Sequence, residues 1–154
     1  MQEYVLGGML MKIEVYSDGS GMTKATPGGY GFVVCRDGIK VYEGSGHLEF
    51  ATNNDCELAG AIEGLDSLNK YFISNDIGLL EEVTLVSDSQ IILNWASGRN
   101  AFKQEEKMDK YIKLLRLMGQ FNAKTRWVHG HNGDVNNERC DKLANAARLK
   151  EVLS

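Results

Sequence analysis

Proline is nearly absent from this sequence: Pro27 is the only one in 154 residues, and no low-complexity stretch or internal repeat is present. Nothing therefore marks a domain boundary, and the length suits one domain around a single core. Cysteine is sparse too. Cys35, Cys56 and Cys140 stand singly and far apart, and an odd count without a CxxC pair argues against a disulfide framework or a zinc site. They read as small buried residues of a reducing compartment, and a cytoplasmic location is expected. No run of about eighteen apolar residues occurs, so no membrane span is expected. The segment up to Met11 is mildly apolar but has no basic leader, so no signal peptide is expected. Residues 1–10 read as a peripheral extension of a domain covering 11–154.

An excess of positive charge is also missing. Seventeen basic residues against 21 acidic ones give a net charge of −4, which does not advertise a nucleic-acid binder. The distribution says more than the total. Between Ser97 and Arg126 eight basic residues face three acids, so that segment carries +5 and the remainder −9. A local basic face on an acidic protein is the electrostatic expectation.

What is present follows clear periods. Ile13 and Val15 alternate with Glu14 and Tyr16 and run into the turn Ser17-Asp18-Gly19-Ser20, a strand ending in a turn. Thr26-Pro27-Gly28-Gly29 precedes a second strand at about 30–36, and Asp37-Gly38 is a good hairpin turn into a third at about 39–46. The three form an antiparallel meander. At Thr52-Asn53-Asn54, good capping residues, the period changes: Leu58, Ala61, Ile62, Leu65, Leu68 and Phe72 mark one apolar helix face. A strand at 82–86 ends at Ser87-Asp88-Ser89, a helix is expected at 89–96, and another at 103–121 burying Met108, Tyr111, Ile112, Leu115 and Met118. A fifth strand at 124–129, with Trp127 in the core, and a helix at 135–150 complete an α/β domain with a mixed five-stranded sheet flanked by helices.

On this layout Asp18 and Asp88 lie at strand ends, while Glu57 and Asp141 lie in the early turns of helices. Strand ends of α/β sheets are where ligands usually bind. Four converging acids would repel one another unless hard divalent cations such as magnesium neutralised them. A single Asp at a strand end also serves as a turn-former or helix cap, so spacing alone leaves both readings open.

The pattern resembles a known family in a distributed way. Tyr16-Ser17-Asp18-Gly19-Ser20, Gly28-Gly29-Tyr30-Gly31, Thr52-Asn53-Asn54-Asp55-Cys56-Glu57-Leu58, Ser87-Asp88-Ser89-Gln90, Trp127-Val128-His129-Gly130-His131 and Asn137-Glu138-Arg139-Cys140-Asp141-Lys142-Leu143-Ala144 occur in its order and span nearly all of 12–150. Together they resemble type 1 ribonuclease H. The resemblance implies the ribonuclease H-like fold. It further implies that Asp18, Glu57, Asp88 and Asp141 bind two magnesium ions, with manganese as a substitute. The implied reaction is metal-activated hydrolysis of the RNA strand of an RNA–DNA hybrid, giving 3′-hydroxyl and 5′-phosphate ends, with His131 as a mobile loop residue that assists proton transfer or product release. His129 reads as structural or as part of the substrate rim, and His47 as an ordinary sheet or surface residue.

Selectivity for RNA must rest on the 2′-hydroxyl, which amide side chains suit as both donors and acceptors. By resemblance Asn53 and Gln90 contact the groove and Thr52 a DNA phosphate; Asn54 and the main chain around Gly19 and Ser20 are further candidates, and helix capping is the alternative role for Asn53 and Asn54, compatible with the first. The sequence departs from the familiar bacterial pattern in two places. Lys24 stands where an asparagine often touches the hybrid, which points to a phosphate contact there instead. The segment between Asp88 and Gly130 is too short for the protruding basic handle, and Lys103, Lys107 and Lys110 would form one helical stripe that, with Arg99, meets DNA phosphates in its place. A solvated face balanced by Glu105, Glu106 and Asp109 is the competing reading of that stripe. A DNA-cutting integrase or resolvase of similar fold, and a hybrid-binding module without catalysis, are the functional alternatives. A monomer is expected.

Overall fold

The computed structural model describes residues 11–71, 81–99, 102–130 and 133–153. Five strands form, β1 (Met11–Ser20), β2 (Gly28–Arg36), β3 (Ile39–Leu48), β4 (Glu81–Ser87) and β5 (Lys124–Trp127). With them are four helices, α1 (Asn53–Tyr71), α2 (Gln90–Ala96), α3 (Met108–Gln120) and α4 (Val135–Leu149). The extension at 1–10, Phe72 and His131 lie outside the described residues.

The sheet order is β3-β2-β1-β4-β5. β1, β2 and β3 are the expected antiparallel meander, while β4 runs parallel to β1 and β5 parallel to β4. Asp37 and Gly38 both take positive φ, 52° and 82°, as a two-residue hairpin following the sheet's twist demands. Alternation along β1 and β2 sorts side chains onto two faces. Ile13, Val15, Phe32 and Val34, with Val83 and Leu85 of β4, join the larger core under α1, α2 and α3. Tyr16, Val33, Cys35 and Val86 face Cys140 and Leu143 of α4 in a smaller one. All three cysteines are buried and free.

Helix α1 starts with a reciprocal cap. The Asp55 N–H donates to Thr52 Oγ1 at 3.2 Å, and the Thr52 N–H donates to Asp55 Oδ2 at 2.8 Å. Such a box contributes about 1 kcal/mol and fixes where the helix begins. Helix α4 packs directly on the β2 backbone because β2 offers it glycine. A Cβ at Gly31 would sit 2.6 Å from Leu143 Cβ and 2.7 Å from the Cys140 carbonyl.

The expected helix at 103–121 is shorter than its apolar pattern implied. Glu105–Lys107 is a single 3₁₀ turn, and α3 begins only at Met108. Phe102 is buried with its ring stacked on Tyr111 at 4.6 Å and edge-on to Trp95 at 4.8 Å. This aromatic clamp sets the entry of the chain, and it rotates the buried face to Leu114, Leu117 and Met118, leaving Ile112 exposed.

Candidate active site

The site is built where parallel strands end. Tyr16 pairs with Val86 across β1 and β4, so two residues further on Asp18 and Asp88 stand at equivalent points of neighbouring chains. α1 completes the group. A Cβ on Gly19 would collide with the Glu57 nitrogen and lie 2.6 Å from the Cys56 carbonyl carbon, so glycine there lets the first turns of α1 rest on the end of β1. Glu57 is thereby delivered beside Asp18. One carboxylate oxygen from each of Asp18, Glu57 and Asp88 falls within 4.8 Å of the others.

These acids are not ordinary surface carboxylates. Asp18 is 6% exposed and Glu57 5%. The Gly19 N–H donates to Asp18 Oδ1 at 2.9 Å, whereas Glu57 Oε1 is buried without a hydrogen-bond partner. Burial, followed by the charges of Asp88 and Asp141, pushes the Asp18 carboxyl above the usual carboxylate range. Burial and the Asp18 charge do the same to Glu57. An orphaned buried oxygen inside a group of mutually repelling acids is what a hard divalent cation relieves, so the residues fit such an ion. Asp141 sits in the second turn of α4, half-buried and outside the tight group of three, yet close enough for its charge to act on Asp18.

Trp127, expected in the core, is instead 44% exposed. Its indole N–H donates to the Asp88 carbonyl at 3.0 Å, and its ring packs against His129 at 4.9 Å. β5 is an edge strand of the sheet and none of its four residues is buried, so alternation there does not mark a core face. The need of an indole N–H for a partner was the signal available in the sequence. With Gly130, whose Cβ would lie 2.9 Å from Asp88 Oδ2, Trp127 walls Asp88 from the side of β5.

The other expected contacts are scattered around the same rim. Asn53 Oδ1 accepts from the Gly21 N–H at 3.3 Å, and Met22 bridges to Thr52. Asn54 is half-buried in the first turn of α1, and Gln90 is exposed at the start of α2 behind its Ser89 cap. The Ser20 hydroxyl is engaged with α4, donating to Asn145 Oδ1 at 2.6 Å and accepting from Arg148 Nε at 2.9 Å. Lys24 is exposed, 4.0 Å from Glu106. The stripe of Lys103, Lys107 and Lys110 does not form: Lys103 precedes the 3₁₀ turn, Lys107 ends it, and Lys107 is turned inward in an ion pair with Asp55. His47 ties β3 to α4 through its Nδ1, 2.7 Å from the Ala147 carbonyl.

The ribonuclease H family model matches residues 11–148. The ribonuclease H of Citrobacter koseri is 34% identical over 154 residues, covering 92% of each chain. The chain belongs to the ribonuclease H family, type 1. Its sheet order and helices are that family's fold, as the solved structures show. The N-terminal RNase H domain of a Mycobacterium tuberculosis protein superposes with a TM-score of 0.74 at 29% identity, covering 91% of this chain and 95% of that one. LC11-RNase H1, solved in complex with an RNA/DNA hybrid, superposes with a TM-score of 0.76 at 25% identity, covering 90% and 97%. Within this ribonuclease H domain the three clustered acids lie at the active site. No described helix is long and apolar enough to cross a membrane.

Proposed function

We propose that the protein hydrolyses the RNA strand of RNA–DNA hybrids at Asp18, Glu57, Asp88 and Asp141. The observation that carries this reading is the group of three carboxylates within 4.8 Å, two of them buried, in a chain of this family. The four acids would hold two magnesium ions, with manganese able to substitute, because their oxygen donors suit hard cations. When bound, such ions supply an activated water and stabilise charge on the departing oxygen. In the reaction, water adds at phosphorus and the bond to the 3′ oxygen breaks, leaving a 3′-hydroxyl and a 5′-phosphate.

The protein's own groups orient and select. Trp127 holds the Asp88 main chain, and the Gly19 N–H holds the Asp18 carboxylate. Asn53 spends its carbonyl oxygen on Gly21, which leaves its amide hydrogens to meet a 2′-hydroxyl acceptor. Gln90 serves from the start of α2, Thr52 and Lys24 on phosphate, Asn54 and the main chain of Gly19 and Ser20 on the RNA side, and His131 on proton transfer or product release. The short connection between α2, ending at Ala96, and α3, beginning at Met108, supports a form without the basic handle. Residues 1–10 are a peripheral extension of a domain covering 11–154, and the enzyme acts as a cytoplasmic monomer.

The test is cleavage of an end-labelled hybrid beside duplex DNA, with magnesium, with manganese and with chelator. Metal-dependent cutting of the RNA strand alone is expected. Cutting of duplex DNA, or binding of the hybrid without cutting, would overturn the reading.

A further inference from the structure

On the far side of Asp88 from α1 lies a cleft of about 280 Å³. It runs between α2 and β5 and is lined by Gln90, Leu93, Asn94, Arg99, Thr125 and Trp127. Its chemistry is one-sided: one guanidinium, two amides, a hydroxyl and an indole, with no acid in the wall. The neighbouring cations of β5 are already neutralised, Lys124 by Glu82 at 2.7 Å and Arg126 by Glu14. Arg99 has no such carboxylate among the described residues. Its own N–H donates to the Asn94 carbonyl at 2.9 Å, and Gly98 turns the chain with φ 74°, so the backbone that carries the guanidinium is fixed at the rim. Trp127 both lines this cleft and donates to the Asp88 carbonyl, so the cleft adjoins the strand end that carries Asp88.

The cleft also has the right place in the sheet. α1, with Thr52 and Asn53 at its start, packs on β1 and β2, whereas α2 packs on β4 and β5. A duplex lying across the strand ends would meet Thr52 and Asn53 on one flank of the acids and this cleft on the other. We propose that Arg99, with Asn94 and Thr125, forms a binding site for a backbone phosphate of the hybrid flanking the one that is cut. Phosphate matches this wall because a guanidinium offers paired donors to its oxygens, and amide and hydroxyl groups complete the cradle. The site rests on the hybrid-cleaving reading above and replaces the lysine stripe as the grip on that side.

The experiment compares Arg99→Gln with Lys70→Gln, which removes the same charge from the last turn of α1. Hybrid binding is measured against salt concentration in an Asp18→Asn background, and steady-state cleavage in the wild-type background. Arg99→Gln should raise KM by about three- to tenfold, as loss of one partly solvated charged hydrogen-bond group does, with kcat within twofold. It should lower the slope of log K against log salt by about 1, and Lys70→Gln should do neither. Hybrids bearing a single methylphosphonate, walked along the RNA and then the DNA strand, identify the source of the phosphate. One position should weaken the wild type and leave Arg99→Gln unaffected. An unchanged slope, an equal effect of Lys70→Gln, or no masked position on either strand would overturn the site. A fall in thermal stability alone would assign Arg99 to the C-terminal end of α2 and overturn it as well. If the wild type cut no hybrid, the functional reading would fail first, so the two failures are distinguishable.

Discussion

Replacing Asp18 by asparagine should destroy cleavage and at the same time stabilise the metal-free protein. The carboxylate oxygens of Asp18, Glu57 and Asp88 lie within 4.8 Å of one another. At that separation two unit charges repel by about 3 kcal/mol with the effective dielectric that suits protein sites. Both Asp18 and Glu57 are raised in the metal-free protein, so a proton retained on the pair relieves their mutual repulsion while that from Asp88 remains. The asparagine side chain of Asp18→Asn would keep an oxygen to accept from the Gly19 N–H while losing the charge. The gain in chelator should therefore be about 2–3 kcal/mol near neutral pH, or about 5–10 °C in Tm for a domain of this size.

The pH dependence gives the sign independently. Burial and neighbouring acids raise the Asp18 carboxyl from 3.8 to about 7. A carboxyl whose folded value is raised destabilises the fold as pH climbs above its unfolded value, because the unfolded chain ionises it freely. The penalty is absent below about pH 4 and complete above the folded value, so the two melting curves should converge in acid and separate most from pH 7 upward. Magnesium should narrow the gap, since mass action at a hundredfold excess over Kd stabilises the wild type by about 2.7 kcal/mol and Asp18→Asn much less. A variant less stable than wild type in chelator, or a gap that does not change with pH, would refute this account of the site.

Three other changes test separate links. Trp127→Phe keeps the ring but removes the donor to the Asp88 carbonyl; stability should fall by about 1 kcal/mol, and kcat should drop several-fold with KM unchanged, the opposite split from Arg99→Gln. Gly31→Ala would drive a Cβ into Leu143 and the Cys140 carbonyl, so urea unfolding should show a loss of about 2 kcal/mol and cleavage should weaken as α4 carries Asp141 outward. Arg139 holds Glu43 through two hydrogen bonds of 2.8 and 2.9 Å and lowers its carboxyl to about 2. That pairing supports the fold above about pH 4.5 and is lost as pH falls toward 2. Arg139→Met should therefore lose about 1 kcal/mol at pH 7, discounted for solvent screening, and nothing below pH 2 in thermal melts.

What could be read from the sequence was whatever a short window encodes. Period-two runs, the Asp37-Gly38 turn and the apolar face of α1 are local signals, and the meander and α1 match them. The parallel pairing of β1 with β4 joins segments some 70 residues apart, so the meeting of Asp18 and Asp88 was only conditional until their order matched a family. The errors share a cause. The late start of α3 comes from Phe102 wedging between Trp95 and Tyr111. The inward turn of Lys107 comes from Asp55 on another helix, and the exposure of Trp127 from the edge position of β5. Each is a tertiary contact that overrides a local pattern. Gly19 shows how such a contact can change the reason for a residue without changing the residue. In the sequence its main chain is a candidate for contact with RNA, but the backbone of α1 at Cys56 and Glu57 already fills the space a side chain would take. Glycine is therefore required there to assemble the acids before any substrate arrives. Enlarging it would disrupt the metal-binding group itself, and any contact its main chain makes with RNA is secondary to that.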